Sequence, residues 1–399
     1  MALKKQKINL LIIGTGLYVC GRGTAGYGTI LPAVMQSYKA GLIDEVLVAS
    51  NRGESFETFD SNFKALAKSL GVYFSYKSFP LENTTNPNAF REAIKELPDP
   101  GVVIIATPDH LHFEMALAAI ENGKHVLVVK PLVTTIDEAN QLIRAAQKAE
   151  VYGAVEFHKR WDLANLKMKQ ALETGALGKP LYIHVEYSQR KIIPTEAFSS
   201  WVDRTNIFQY LGVHYADIIH FITQGRPRRL LATGQKYWLQ KQGIDAYDAI
   251  QVLIEWSSGF VSTILTNWID PNCSSAMSQQ KMKIIGTKGR VESDQTNRGL
   301  RIFTDDCFEE VNPYFCQTYP AIDSDNIEYR GYGIQSITQF LKDVQSIADG
   351  EHAPEDFKGR RPTFSDSLVS TTIVEAANLS LKNSSQWVYF GEKLEPYLE

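Results

Sequence analysis

Residues 102–132 read VVIIATPDHLHFEMALAAIENGKHVLVVKPL, a stretch compatible with very few folds. Two short apolar runs, Val102–Ala106 and Val126–Val129, each end in a polar turn marked by proline: Thr107-Pro108 after the first, Lys130-Pro131 after the second. Between them Phe113, Ala116, Leu117 and Ile120 recur at i, i+3, i+4 and i+7, the apolar stripe of a helix. Strand, helix, strand in that order is a parallel crossover, which brings both strand ends to one edge of a sheet. Ligands of open α/β sheets bind at that edge. A lysine there, with the next residue's backbone fixed by a proline ring, is placed to handle a proton.

The same alternation runs from residue 8 to about 157. Strands are predicted near 8–13, 45–49, 72–75, 102–106, 125–129 and 152–157, and helices near 29–40, 56–70, 88–96, 110–122 and 135–149. Six strands with helical crossovers argue a doubly wound parallel sheet. After Trp161 the texture changes. A helix near 162–174 gives way to alternating strands, YIHVEYS, RLLATGQKYW, AIQVLIEW, GFVSTILTNW, KMKIIGT and RVESD, with a hairpin turn at Trp256-Ser-Ser-Gly259. Further helices are predicted near 206–222, 334–348 and 366–382, and residues 305–330 read as a long irregular excursion. A chain of 399 residues suggests two or three domains. The texture puts one boundary near 158: an α/β doubly wound domain over 1–158, then an α+β domain over 159–399 with a large, mostly antiparallel open sheet.

Bulk properties exclude several functions. A net charge of −4 offers no electrostatic case for nucleic acid or anionic membrane, and Arg226, Arg228 and Arg229 are too few to change that. Cys20, Cys273, Cys307 and Cys316 form no CxxC, which reads as reduced thiols of a cytoplasmic protein. Lys4, Lys5 and Lys7 before INLLII imitate a signal peptide, but the apolar run is about six residues against the ~7–15 expected, so it reads as a first strand. No run approaches the ~18 apolar residues of a membrane span.

Gly14-Thr15-Gly16 directly follows that strand, as in dinucleotide-binding turns: the first glycine permits the tight turn, the second lets a pyrophosphate approach the backbone. Val19 stands where a third glycine is usual, and Gly21, Gly23, Gly26 and Gly28 suggest extra residues in the loop before the helix. The second strand, EVLVAS, ends in Ser50-Asn51-Arg52. NAD sites usually place a carboxylate there for the ribose 2′-OH; its absence and Arg52 lean the reading towards NADP, with NAD still usable.

GTG after the first strand, ATPDHLH, then KP at a later strand end together resemble the glucose–fructose oxidoreductase and inositol dehydrogenase family, the Gfo/Idh/MocA group. The resemblance covers nearly the whole chain. It implies an N-terminal Rossmann domain and a C-terminal α/β domain with a large open sheet. It also implies reversible oxidation of a sugar, cyclitol or sugar-nucleotide hydroxyl with NAD(P), and a homodimer or homotetramer built through that sheet. The family's Glu-Lys-Pro falls on Val129-Lys130-Pro131, so the glutamate is missing. The family's later Asp and His, four residues apart, fall on Tyr210 and His214. Thr107, Pro108 and His112 match the cofactor-side turn, with Gly14, Gly16, Asn51, Arg52, Lys130 and Pro131 completing the expected cofactor contacts.

Hydride transfer needs two carbons held near contact and an acid/base for the hydroxyl proton. Imidazole titrates near neutrality, so His214 is the first choice, with Asp217 at i+3 to orient it and Tyr210 at i−4 as a relay. Lys130 would sit against the substrate oxygen. Glu156, His158 and Arg160, alternating at the end of the sixth strand, are candidate substrate contacts, against the alternative of a structural cluster of ion pairs at a domain hinge. No metal site is expected from His214, Asp217 and His220, because His220 is rotated off the shared face. Val129 and Tyr210 keep a second function class open: a non-enzymatic dinucleotide-binding regulator or scaffold.

Overall fold

A computed structural model describes residues 5–24, 26–81 and 84–399. The chain divides into two compact units. One comprises Met1–Leu132, Asp137–His158 and Tyr314–Asp366; the other comprises Val133–Ile136, Lys159–Pro313 and Ser367–Glu399.

The first unit opens with β1 (Ile8–Ile13), α1 (Leu17–Cys20), α2 (Ile30–Lys39), β2 (Ile43–Ala49), α3 (Ser55–Leu70) and β3 (Lys77–Phe79). It continues with α4 (Ala89–Glu96), β4 (Gly101–Ile105), α5 (His112–Glu121), β5 (His125–Val129), α6 (Ile136–Ala149) and β6 (Gly153–Glu156). The six strands are parallel in the order β3-β2-β1-β4-β5-β6, the doubly wound dinucleotide order. Every residue of β1 and β4 is buried, which is why both read as unbroken apolar runs rather than alternating ones.

The third strand is not at 72–75 but at Lys77–Phe79. The aromatics upstream pack on helices instead of joining the ladder. Phe74 stacks on Tyr38 at 4.2 Å and meets Phe63 edge-on at 5.1 Å, and Tyr76 packs edge-on against both Phe59 and Phe63 of α3.

The second unit holds α7 (Leu163–Glu173), β7 (Pro180–Arg190), α8 (Val213–Thr223), β8 (Pro227–Gln235), α9 (Trp238–Lys241), β9 (Ala249–Trp256), β10 (Val261–Asp270), β11 (Ser278–Gly286) and β12 (Arg290–Asp294). A separate hairpin of β13 (Leu300–Phe303) and β14 (Phe308–Val311) follows. The chain then returns to the first unit with the hairpin β15 (Gln317–Pro320) and β16 (Ile327–Arg330) and the helix α10 (Tyr332–Ala348), which packs on α2. It ends in the second unit with α11 (Leu368–Lys382), β17 (Val388–Phe390) and β18 (Pro396–Leu398).

The large sheet has the order β12-β11-β7-β10-β9-β8-β17-β18. Only β7 and β10 pair in parallel among the neighbours whose register is given. Buried and half-buried residues alternate along β9 and most of β10, so one face of the sheet is buried, and α11 packs on β8 and on α8.

One expectation is corrected. The excursion at 305–330 carries the paired strands β14, β15 and β16; of their twelve residues only one is buried, so burial imposed little pattern on the sequence. The boundary at 158 coincides with the end of one segment of the first unit, but the units are interleaved, because residues 314–366 belong with the N-terminal sheet. Among the described residues no helix is long and apolar enough to cross a membrane.

Candidate active site

The carboxyl edge of the six-stranded sheet is built from turns whose residues have little choice. Gly14 leaves β1 at φ +116°, its N–H bonded to the Ala49 carbonyl at 2.8 Å, and a Cβ there would lie 2.3 Å from the Ala106 carbonyl oxygen. Both the backbone angle and the neighbouring strand demand glycine. Gly16 is different. Its φ of −84° suits any residue, and a Cβ would find nothing within 4 Å. Neither conformation nor packing within the described residues explains the missing side chain, whereas close approach of a dinucleotide pyrophosphate does. On that observation the edge fits NAD(P).

Contrary to expectation, the extra residues do not lengthen the loop before the first helical turn. A single helical turn, α1, forms directly after Gly16, and the insertion Gly21–Thr29 separates it from α2. It re-enters through a Thr29 N–H bond to the Tyr18 carbonyl at 2.8 Å. Sequence reasoning passed over Arg22 in this insertion. Its Nη2 donates to the Ser55 carbonyl at 2.7 Å and lies 3.3 Å from Thr15 Oγ1. At the end of β2, Asn51 and Arg52 are exposed, and Arg52 has Glu54 3.8 Å away as a loose partner.

His112 is the clasp of the next turn. Its Nδ1 lies 2.8 Å from the Pro131 carbonyl and its Nε2 3.0 Å from the Thr107 carbonyl, joining the turns after β4 and β5. Burial lowers its pKa, against the opposing pull of Asp109 and those carbonyls. The neutral ring has one N–H, so it donates to one carbonyl at a time. His112 therefore positions Thr107, Pro108 and the Lys130-Pro131 step. Lys130 itself is buried at the end of β5.

The three residues expected beyond β6 have internal partners. Glu156, buried, accepts from Ser336 Oγ at 2.6 Å and pairs with His158 Nδ1 at 2.9 Å, while the Tyr18 hydroxyl lies 3.2 Å from that nitrogen. Burial, then the charge of Glu156, push the Tyr18 hydroxyl well above its usual pKa, so it stays a protonated group. Tyr332 stacks on His158 and Phe315 packs tilted against it.

Arg160 does form a bidentate clamp, but on Asp217: Nε to Oδ2 at 2.8 Å and Nη2 to Oδ1 at 2.6 Å, both side chains nearly buried. Glu156 and His158 thus partner each other and Ser336, while Arg160 partners Asp217. Both oxygens of Asp217 accept from Arg160, which ties the helix that carries His214 to the segment after β6.

Within the second unit, His214 is buried on α8, with the Tyr187 ring at 6.3 Å. Tyr210 precedes α8 in a π-helical turn, Phe208–Gly212, and its ring lies among Phe198, Trp201 and Trp268. A wide turn breaks the 3.6-residue period, so spacing alone does not put Tyr210 and His214 on one face. His220 bonds the Gly225 carbonyl at 2.8 Å and closes the helix end. Among the described residues no group of three or more His, Cys, Asp or Glu could hold a metal ion.

Lys159, also missed, is fully buried. Its ammonium bonds Gln280 and, at 3.0 Å, Gln295, and faces the rings of Tyr187 and Tyr215. Burial pushes it down to about 7 despite the opposing charge of Asp162.

A six-stranded sheet in this order, with a glycine turn open to a pyrophosphate, defines a dinucleotide-binding domain. The comparisons agree. Residues 8–157 match the model of the oxidoreductase family with an NAD-binding Rossmann fold, and residues 165–292 match the GFO/IDH/MocA C-terminal domain. The chain belongs to the GFO/IDH/MocA family and is an NAD(P)-dependent oxidoreductase acting on CH–OH groups.

Among its relatives, a 1,5-anhydro-D-fructose reductase of Ensifer adhaerens is 28% identical over 169 residues, 41% of this chain and 50% of that protein. A myo-inositol 2-dehydrogenase of Thermotoga maritima is 23% identical over 302 residues, 75% of this chain and 82% of that protein. The structure of a scyllo-inositol dehydrogenase from Lactobacillus casei with bound NAD(H) and scyllo-inositol shares the fold, with a TM-score of 0.67, 15% identity, and coverage of 96% of this chain and 99% of that one.

Proposed function

We propose that this protein transfers a hydride reversibly between the nicotinamide of NAD(P), preferably NADP, and a hydroxyl-bearing carbon of a sugar, cyclitol or sugar nucleotide. Its proposed setting is the cytoplasm, as a homodimer or homotetramer built through the C-terminal sheet. The observation that carries the reading is the edge where Gly16 stands open and His112 clasps the turn that presents Lys130. The names of the relatives, an inositol dehydrogenase and an anhydrofructose reductase, support a polyhydroxylated ring as substrate. Four free cysteines support a reducing compartment.

A bound nicotinamide supplies the hydride acceptor or donor. Lys130 donates a hydrogen bond to the reacting oxygen and exchanges its proton. With Val129 in place of the usual glutamate, its role is chiefly that of donor. His214 takes or returns the hydroxyl proton, Tyr210 relays it, and Asp217 serves through α8, which Arg160 anchors.

The test is nicotinamide absorbance with a panel of sugars, cyclitols and sugar nucleotides, on wild type and Lys130→Met. Turnover in the variant should fall by about 10²–10⁴-fold with dinucleotide affinity nearly unchanged; undiminished turnover removes Lys130 from the mechanism. Val129 and Tyr210 favour the second reading, a dinucleotide-binding regulator, which gains if the chain binds cofactor yet oxidises or reduces nothing in the panel.

A further inference from the structure

We propose that Arg22 is the residue that grips the 2′-phosphate of NADP, with Arg52 as an outlying second charge. This rests on the reading of the chain as a dinucleotide-dependent enzyme and adds the group that selects between the two cofactors.

Arg22 stands where the chain departs from the glycine fingerprint, directly after the single turn α1. One of its amino groups bridges two strand-end turns. It reaches Thr15 Oγ1, between the two glycines, at 3.3 Å, and the Ser55 carbonyl at 2.7 Å. Ser55 opens α3, and its N–H bonds the Arg52 carbonyl at 3.1 Å, so the guanidinium sits against the turn that follows β2. In this fold the adenosine ribose lies beside that turn, with the 2′-oxygen towards it.

The charge balance points the same way. Arg160, Arg298 and Arg361 are each substantially buried and each faces an aspartate. Arg22 is half-buried, yet among the described residues it has no carboxylate partner, and its Nε is buried with no hydrogen-bond acceptor. A desolvated cation without a counter-ion is costly unless an anion completes it. The planar fork of a guanidinium suits a phosphate. Arg52 makes the weaker claim: it is exposed and already has Glu54 at 3.8 Å. Glu54, beside Arg52, would repel a phosphate held there.

Isothermal titration of the full chain with NADP⁺, NAD⁺, 2′,5′-ADP and 5′-AMP decides the matter without any turnover. Wild type should bind 2′,5′-ADP at least about 10-fold more tightly than 5′-AMP, and Arg22→Ala should weaken NADP⁺ and 2′,5′-ADP by about 10–100-fold while changing NAD⁺ by less than about 3-fold. Arg22→Lys, which keeps the charge and the bulk, should fall between. Equal losses for NADP⁺ and NAD⁺ would assign Arg22 to the pyrophosphate and overturn the proposal. So would a wild type that does not distinguish 2′,5′-ADP from 5′-AMP, a result independent of whether any variant folds. A chain that binds NAD⁺ but ignores the 2′-phosphate sinks this assignment alone; one that binds neither dinucleotide sinks the parent reading with it.

Discussion

The dinucleotide edge of the first unit and the charged cluster around α8 in the second solve opposite problems. The edge is made of backbone: glycine turns, carbonyls and one neutral imidazole hold the shape, and among the described residues Arg22 has no carboxylate partner. The cluster is made of side chains already matched, Arg160 with Asp217 and Arg298 with Asp162, around a buried lysine. One region holds a guanidinium with no carboxylate partner among the described residues and is suited to a ligand; the other holds matched ion pairs that keep a helix still, beside a lysine whose charged form burial disfavours. Buried charge alone therefore does not mark a functional site. The mismatch between a charge and its surroundings does.

Breaking the matched cluster should have the largest effect on stability. Asp217→Ala leaves a buried guanidinium uncompensated and should cost about 3–5 kcal/mol in urea denaturation, while the double replacement Arg160→Met, Asp217→Leu should recover much of that loss. A single variant within about 1 kcal/mol of wild type would mean the pair is already solvated.

On the edge, Gly14→Ala drives a Cβ towards the Ala106 carbonyl at a φ that L-residues avoid, a strain of about 1–3 kcal/mol or more. Gly16→Ala should leave the melting temperature unchanged and weaken dinucleotide binding. If both variants lose stability alike, the open space at Gly16 was misassigned.

A further effect sharpens the comparison by pH. Burial holds the Lys159 ammonium at about 7, below its ordinary 10.5. Between those values the unfolded chain binds more protons than the folded one, so this group's contribution to stability rises with pH across that window. The melting-temperature advantage of Lys159→Met over wild type should therefore shrink from pH 7 towards pH 10. A constant difference would show that Gln280, Gln295 and the two tyrosine rings already satisfy the ammonium.

Much of the first unit could be read directly. Buried parallel strands such as INLLII and GVVII are apolar throughout, and proline and glycine mark their ends. The hairpin at Trp256–Gly259 was likewise plain, because one buried face imposes a period of two. Where the ladder and the pattern part company, reading failed: Phe74 and Tyr76 imitate a strand while packing on α3, and the largely exposed β14 shows no buried face. Arg22 and Lys159 left no local signal. An arginine among glycines looks like loop solvation, and a lysine beside Arg160 looks like surface, until partners at Ser55, Gln280 and Gln295 appear.

Residue order was enough to establish the doubly wound topology, the glycine turn and the lysine at a strand end, because these follow from hydrophobic period and backbone stereochemistry over a few neighbours. Which charges are satisfied and which stand waiting came only from the folded chain. Asp217 lies 57 positions from Arg160, and Ser336 lies 180 from Glu156. Pairings over such separations depend on where whole elements pack, a property no short window of sequence contains.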